Sequence, residues 1–254
     1  MQPVIVMPMH DPAGVMFPNL EAIAPQLKSI FAKAFVSVTS ITHETQSSHM
    51  AWLRQDEFFQ ALYHQSDIPV GRDFLALYAQ AAAACSPDQI LHLCFIDRVA
   101  FALQSDYREQ FLADIQAVKP EDTPLIFQRS KAAWDAHPSN YRELEAMLTH
   151  AGRILFKRDL DFAWCHLAIQ ARQLASVLPT LKNTDLSMLA EMVVRLRDQA
   201  QAKDVDWLAW EDPFILSRDA RELKAERERS SAENRKRLAY VIPMLQVLYQ
   251  AILE

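Results

Sequence analysis

The sequence predicts an α/β protein, a mostly parallel sheet with helices on both faces, followed by a helical C-terminal extension. Three observations carry that prediction. Short β-type apolar runs alternate with longer helical patterns from Pro3 to Gln128, the rhythm of strands joined by helical crossovers. After residue 135 the texture turns mostly helical. Half of the 254 residues are apolar and 23% are charged, so the chain can bury a core large enough to offset its ordering entropy.

The elements follow in order. Pro3–Met9 (PVIVMPM) is a buried-strand run, and Asn19–Lys33 is a helix opened by Pro18 or Asn19. Ala34–Ile41 is rich in β-branched residues and reads as the second strand. Ser47–His64 reads as a helix with Trp52, Phe58, Phe59 and Leu62 on its apolar side. A turn at Ile68–Arg72 leads into a helix through Ala84, and Ile90–Asp97 (ILHLCFID) is the next strand. A helix over Ser105–Val118 and a strand over Pro124–Gln128 complete the alternation. Beyond them, Tyr141–His150, His166–Val177 and Asp185–Ala202 read as helices, and Asp206–Trp210 as a short strand. Arg218–Arg237 holds 8 basic and 5 acidic residues without apolar periodicity, which predicts an exposed helix. Leu238–Leu253 places Leu238, Val241, Ile242, Leu245, Leu248, Tyr249 and Ile252 on one stripe.

Composition excludes several functions. With 26 basic and 32 acidic residues the formal charge is −6, contrary to the basic stripe of a general nucleic-acid binder. Only three residues are glycine, Gly14, Gly71 and Gly152, where ordinary usage gives roughly 18. No glycine-rich phosphate loop can be assembled from them. Cys85, Cys94 and Cys165 are odd in number and form no CxxC, as in a reduced cytoplasmic protein. No signal-peptide pattern opens the chain, and no apolar run is long enough for a transmembrane segment.

In an open parallel sheet, ligands bind beyond the carboxyl ends of the strands. The residues there are Pro8, His10 and Asp11 after the first run, and Thr42, His43 and Glu44 after the second. Asp97 and Arg98 follow the third, and Arg129 the fourth. Asp97 stands out, because a strand end would hold its carboxylate at the mouth of the sheet, where a metal–diphosphate or a ribose hydroxyl is gripped. A helix N-cap or a pair with Arg98 is the plainer reading of the same carboxylate. Asp185 opens a helix as an ordinary N-cap would, and with Glu191 it is also a candidate general base. No GxSxG elbow exists, His43-Glu44 is not followed by the second His of HExxH, and Cys165-His166 are neighbours that cannot face each other. The histidines are scattered, which argues against a zinc site.

The path from VIVMPMHDP through SVTSITHE and VGRDFLALYAQAAAACSPDQILHLCFIDR to PLIFQR resembles the nucleotide-diphospho-sugar transferases of GT-A, Rossmann-like fold, and looks most like the family 2 glycosyltransferases. The resemblance covers residues 3 to 212. It implies that Pro8 and His10 open the nucleotide site and that Gly71-Arg72 is the Gly-basic pair before the central strand. It further implies that Asp97 stands for the DxD-type motif, that Arg129 is the basic residue ending the next strand, and that TDLSMLAEMVVRL carries the acidic base as Asp185 or Glu191. Two departures are visible. DxD is reduced to I-D-R, so Asp97 alone represents the metal ligand for Mg²⁺ or Mn²⁺, and the paired acids after the second strand are thinned to Glu44.

The implied reaction is transfer of a sugar from a nucleoside-diphosphate sugar to an acceptor hydroxyl. Arg72, Arg98 or a metal on Asp97 would stabilise the diphosphate, and Asp185 or Glu191 would deprotonate the acceptor. Alternatives are a non-catalytic nucleotide-binding or protein-interaction module on the same scaffold, or an unrelated helical protein. The expected division is 1–212 for the nucleotide-sugar-binding domain and 213–254 for the extension. The apolar stripe of the extension is hidden under its own domain, in a homodimer, or by peripheral contact with an anionic membrane near Arg235-Lys236-Arg237.

Overall fold

The computed structural model describes residues 2–253. Met1, which opens the expected 1–212 domain, and Glu254, which closes the extension, lie outside the described residues. The chain begins β1 (Val4–Met9), α1 (Met16–Ile30), β2 (Lys33–Val38), α2 (Ser40–Thr45), α3 (Ser47–Gln55), β3 (Phe59–Tyr63) and α4 (Val70–Ala84). It continues through β4 (Ile90–Cys94), α5 (Ile96–Gln104), α6 (Arg108–Ala117), β5 (Leu125–Arg129), α7 (Lys131–Ala136) and α8 (Ser139–Phe156). The remainder is β6 (His166–Gln170), α9 (Ala171–Val177), α10 (Ser187–Leu196), β7 (Gln201–Val205), α11 (Asp212–Ile215), α12 (Ala220–Arg229) and α13 (Ser231–Gln250).

The strands form one sheet in the order β3-β2-β1-β4-β6-β5-β7. All neighbours are parallel except β6, which runs antiparallel to both β4 and β5. One apolar layer packs α1, α5 and α6 on the face that bears Met7, Val36 and Phe127. The other packs α4, α9, α10 and α13 on the face that bears Val6, Leu93 and Ile169. Among the described residues no helix is long and apolar enough to cross a membrane.

The register opens a cleft. β1 pairs with β2 along its whole length, from Val4↔Lys33 to Met9↔Val38, but with β4 only from Val4↔Leu91 to Val6↔Leu93. Beyond Val6 the two central strands part, and Pro8 lies in that stretch. A proline has no N–H to give to a ladder, so it suits a strand end that is unpaired on one side.

Four expected elements are corrected. Ser47–His64 is not one helix, because α3 stops at Gln55 and Phe59–Tyr63 pairs with β2 as an edge strand. His166–Val177 divides into β6 and α9, since His166–Gln170 is buried between β4 and β5. The strand expected at Asp206–Trp210 lies instead at Gln201–Val205, where α10 has already ended. Arg218–Arg237 breaks at Ser230, whose hydroxyl accepts the Glu233 N–H to start α13. The buried stripe of α13 is Val241, Met244, Val247 and Leu248, packed against α8 and α10, while Ile242, Tyr249 and Ile252 stay at the surface.

Candidate functional site

A cleft of about 610 Å³ lies at the carboxyl ends of β1, β2, β3 and β4. Pro8, Met9 and His10 line it from β1, Thr39 and Ser40 from β2, His64 from β3, and Phe95, Ile96 and Asp97 from β4. The helix side contributes Val70, Asp73 and Phe74 of α4. Pro8, His10 and Asp97 are thus brought to one space, as the sequence predicts.

Local structure fixes each group. Asp11 is buried, and its carboxylate accepts the N–H groups of Val15, Met16 and Phe17 at 2.7–3.0 Å. That contact starts α1 three residues earlier than the pattern from Asn19 indicates, and fixes the chain just after His10. His10 Nδ1 is 3.0 Å from Thr39 Oγ1, which in turn contacts Thr42 Oγ1 at 2.9 Å. Asp97 lies in the first turn of α5 rather than in β4, and its Oδ1 accepts the Arg98 N–H at 2.8 Å. Phe95, not Asp97, is the N-cap of α5, and the Arg98 guanidinium pairs with Glu211, so the plainer readings of Asp97 are corrected; its Oδ1 accepts a first-turn N–H while the residue lines the cleft.

In the same cleft, His64 Nε2 contacts Asp73 Oδ1 at 2.7 Å, and Ser37 Oγ donates to Asp73 Oδ2 at 3.0 Å. Burial raises the Asp73 carboxyl pKa above its usual value against the lowering effects of Ser37 and His64. A carboxylate behind an imidazole fixes its ring orientation and leaves Nδ1 for a ligand. Among the described residues no lysine or arginine lines the cleft; His10 and His64 lie there beside Asp67, Asp73 and Asp97.

The other expected residues go elsewhere. Glu44 and Arg72 are exposed and do not line the cleft. Gly71 is buried in the first turn of α4, and a Cβ there would lie 2.5 Å from the Asp185 carbonyl oxygen. Its role is close backbone packing beside the cleft. Asp185 is exposed and its Oδ1 accepts from the Ser187 N–H and hydroxyl, an Asx turn at the start of α10. Glu191 is 4% exposed, and its carboxylate accepts the backbone N–H groups of Lys182 and Asn183 and the Asn183 side-chain amide. A carboxylate so enclosed cannot meet an acceptor hydroxyl, so as a base Glu191 is corrected to an anchor of the 182–185 loop.

Arg98 and Arg129 line a second, smaller pocket of about 140 Å³ that shares Phe95 and Asp97 with the cleft. Arg98 pairs with Glu211 and donates to the Ala209 carbonyl at 3.3 Å. Arg129 lies 3.4 Å from Glu145 and 3.3 Å from Asp161, over the Trp134 ring. Burial pushes the Glu211 carboxyl up to about 7. Glu145, Arg237 and Tyr240 complete the polar wall; the sequence reading missed Glu145 and Tyr240 and placed Arg237 in a lipid-facing cluster, whereas its guanidinium pairs with Glu145. That reading also missed His64 and Asp73. The signal for His64 was a strand ending at Tyr63; for Arg237 there was none, because its stretch is uniformly polar.

The metal expected at Asp97 meets a thin donor set. Among the described residues no three His, Cys, Asp or Glu side chains converge. One carboxylate facing a cleft nonetheless suits a Mg²⁺-type ion, which takes one or two carboxylates and completes its shell with substrate phosphates.

No family model matches the chain, and no curated protein matches it. Solved structures do. Glucosyl-3-phosphoglycerate synthase from Mycobacterium tuberculosis is similar at 13% identity and a TM-score of 0.55, over 99% of this chain and 80% of that one. The same enzyme in complex with uridine diphosphate matches at 14% identity and a TM-score of 0.52, over 99% and 80%. Its complex with Mn²⁺, uridine-diphosphate-glucose and phosphoglyceric acid matches at 14% and 0.50, over 98% and 80%. At this identity the likeness is one of fold, the GT-A arrangement that the sequence resembles.

Proposed function

We propose that the chain is a glycosyltransferase that moves a sugar from a nucleoside-diphosphate sugar to an acceptor hydroxyl. The observation that carries this reading is the convergence of Pro8, His10 and Asp97 where β1 and β4 part in a GT-A sheet. The nucleoside lies along the β1–β3 ends, between Phe74 and the Thr39–Ser40 turn, and the diphosphate reaches Asp97.

Departure of the diphosphate leaves negative charge that must be stabilised in place. The His10 and His64 rings and the Thr39 and Ser40 hydroxyls line the space where that charge would form and are its hydrogen-bonding side chains; Arg72 is not placed for it. A divalent cation, when bound, would be held by Asp97 and would neutralise the same charge. Asp185 lines neither pocket, but its backbone abuts Gly71 beside the cleft-lining Val70 and its Oδ2 is not used by Ser187, so the acceptor proton would fall to it once an acceptor reaches that edge of the cleft. Glu191 is the positioning residue that holds the Asp185 loop. The three thiols are free, which suits the cytoplasm. Any homodimer or lipid contact would use the exposed Ile242 and Tyr249 of α13 and Ile252 just beyond it.

The test is release of nucleoside diphosphate from UDP-, GDP- and ADP-sugars by the purified chain, with and without Mn²⁺ and a mixture of hydroxyl acceptors. Acceptor-dependent release from one donor is expected. Absence of release and of nucleotide binding across the panel contradicts the reading.

A further inference from the structure

We propose that the second pocket is an oxyanion subsite that holds the acceptor by a phosphate or carboxylate group, with Arg129 and Arg237 as its donors and α13 as its wall. The role as acceptor site rests on the donor reading of the larger cleft; the anion chemistry rests on the pocket itself.

Three guanidiniums line this pocket, those of Arg98, Arg129 and Arg237, against two carboxylates, Asp97 and Glu145. Asp161 and Glu211, which together outweigh that excess of one, do not line it. They bind the guanidiniums of Arg129 and Arg98 from outside the lining. Arg129 is 4% exposed in its side chain and its Nε–H is buried without a partner; the Nε–H of Arg237 is buried and unpartnered too. A buried donor left unmade costs its full desolvation, so two of them around one pocket call for an acceptor. Arginine presents several donors in a planar fork that matches phosphate and carboxylate oxygens.

The arginines are pre-organised. Arg129 stacks 4.5 Å from the Trp134 ring and Arg237 lies 3.6 Å from the Tyr141 ring centroid. Arg237 Nη1 lies 2.5 Å from Glu145 Oε1 and 2.6 Å from Tyr240 Oη, and Tyr240 donates to Glu145 at 2.5 Å. Rings and carboxylates thus fix both side chains before any ligand arrives. At about 140 Å³ the pocket admits a compact acid of a few carbon atoms and excludes an oligosaccharide or a polypeptide. Because Phe95 and Asp97 belong to both spaces, an acid seated here presents its hydroxyl toward the donor end.

Inorganic phosphate titrated into the full chain, followed by ³¹P NMR line width with and without saturating UDP, tests the proposal. Saturable phosphate binding that persists with UDP is expected, weakened about tenfold or more in Arg237→Gln and by less in Arg237→Lys, and unchanged in the surface control Arg108→Gln. Circular dichroism confirms folding of each variant, and Arg237→Lys retains the charge if Arg237→Gln unfolds. No saturable binding, displacement of phosphate by UDP, or wild-type affinity in both Arg237 variants overturns the proposal. If phosphate binds as expected and UDP does not, the anion subsite stands, while the donor reading and with it the acceptor role fall. Replacing phosphate by glycerate then separates a preference for phosphate from one for carboxylate.

Discussion

The amide of Gly71 donates to the carbonyl oxygen of Thr184 at 2.9 Å, which seats the loop before α10 on the first turn of α4. Two stretches 113 residues apart, singled out in the sequence for different reasons, thereby form one wall beside the cleft. A Cβ at position 71 would lie 2.5 Å from both the Thr184 carbonyl carbon and the Asp185 oxygen, which are backbone atoms that cannot rotate away. Gly71→Ala is expected to cost about 1–3 kcal/mol, the range for overpacking, and to lower turnover by displacing Asp185. Urea unfolding and steady-state rates check both.

Asp185 and Glu191 are expected to separate in their effects. Asp185→Asn should lower turnover roughly 10²–10⁴-fold with nucleotide affinity nearly unchanged, as for loss of a general base. Glu191→Ala should instead destabilise the fold by about 2–4 kcal/mol, because it strands the amides of Lys182 and Asn183. Glu191→Gln, which keeps an accepting oxygen, should recover part of that loss. Equal stability of Glu191→Ala and wild type would remove the anchor role.

Acid should unfold this protein through His92 and His166. Their rings meet at 3.1 Å in the middle of the sheet, both fully buried among Phe31, Phe127 and Trp207. Burial lowers the His92 pKa to about 3 and holds His166 well below its usual range. Below pH 6.5 the unfolded chain binds protons at these sites that the folded chain excludes, at His92 down to about pH 3, so stability rises with pH across that window. The loss on acidification is about 1.4 kcal/mol per pH unit for each such proton. Denaturant midpoints from pH 7 to pH 4 should show this slope, and His166→Phe should reduce it.

The tail of α13 is expected to be part of the core. A chain ending at Arg237 loses buried Val241, Met244, Val247 and Leu248, at about 1.5–3 kcal/mol each. That total is comparable with the whole stability of a typical domain, about 5–15 kcal/mol. Calorimetry should find no cooperative transition in the shortened chain; a transition like that of the full chain would contradict the packing.

Much of the fold was legible in the sequence. The strands β1, β2, β4 and β5 carry mostly apolar or β-branched runs, because strands covered on both faces need them. The two edges were not legible. Gln201–Val205 is exposed except at Val205, and Phe59–Tyr63 is half-buried beyond Phe59, so neither shows a strand period. β6 was hidden differently: His166–Gln170 passes directly into α9 with no glycine or proline to mark the change. The same edge explains the site. Pro8 lies near the end of a strand that could be read and His10 and Asp97 follow such strands, while His64 follows one that could not. Arg98 and Arg129 were found as strand-end cations, but their second pocket depends on α8 and α13 folding back over the sheet, which no local pattern records.

The proposed site requires the Asp97 carboxylate for nucleotide binding. Thermal unfolding of wild type and Asp97→Asn with UDP, GDP and ADP, each with and without Mn²⁺, tests it most directly, because a ligand that binds the native state raises the melting temperature by mass action. One nucleotide should raise the wild-type transition and leave that of Asp97→Asn unmoved, with the ligand-free stabilities of the two within about 1–2 kcal/mol. Equal shifts in both proteins, or no shift with any nucleotide, would contradict the claim.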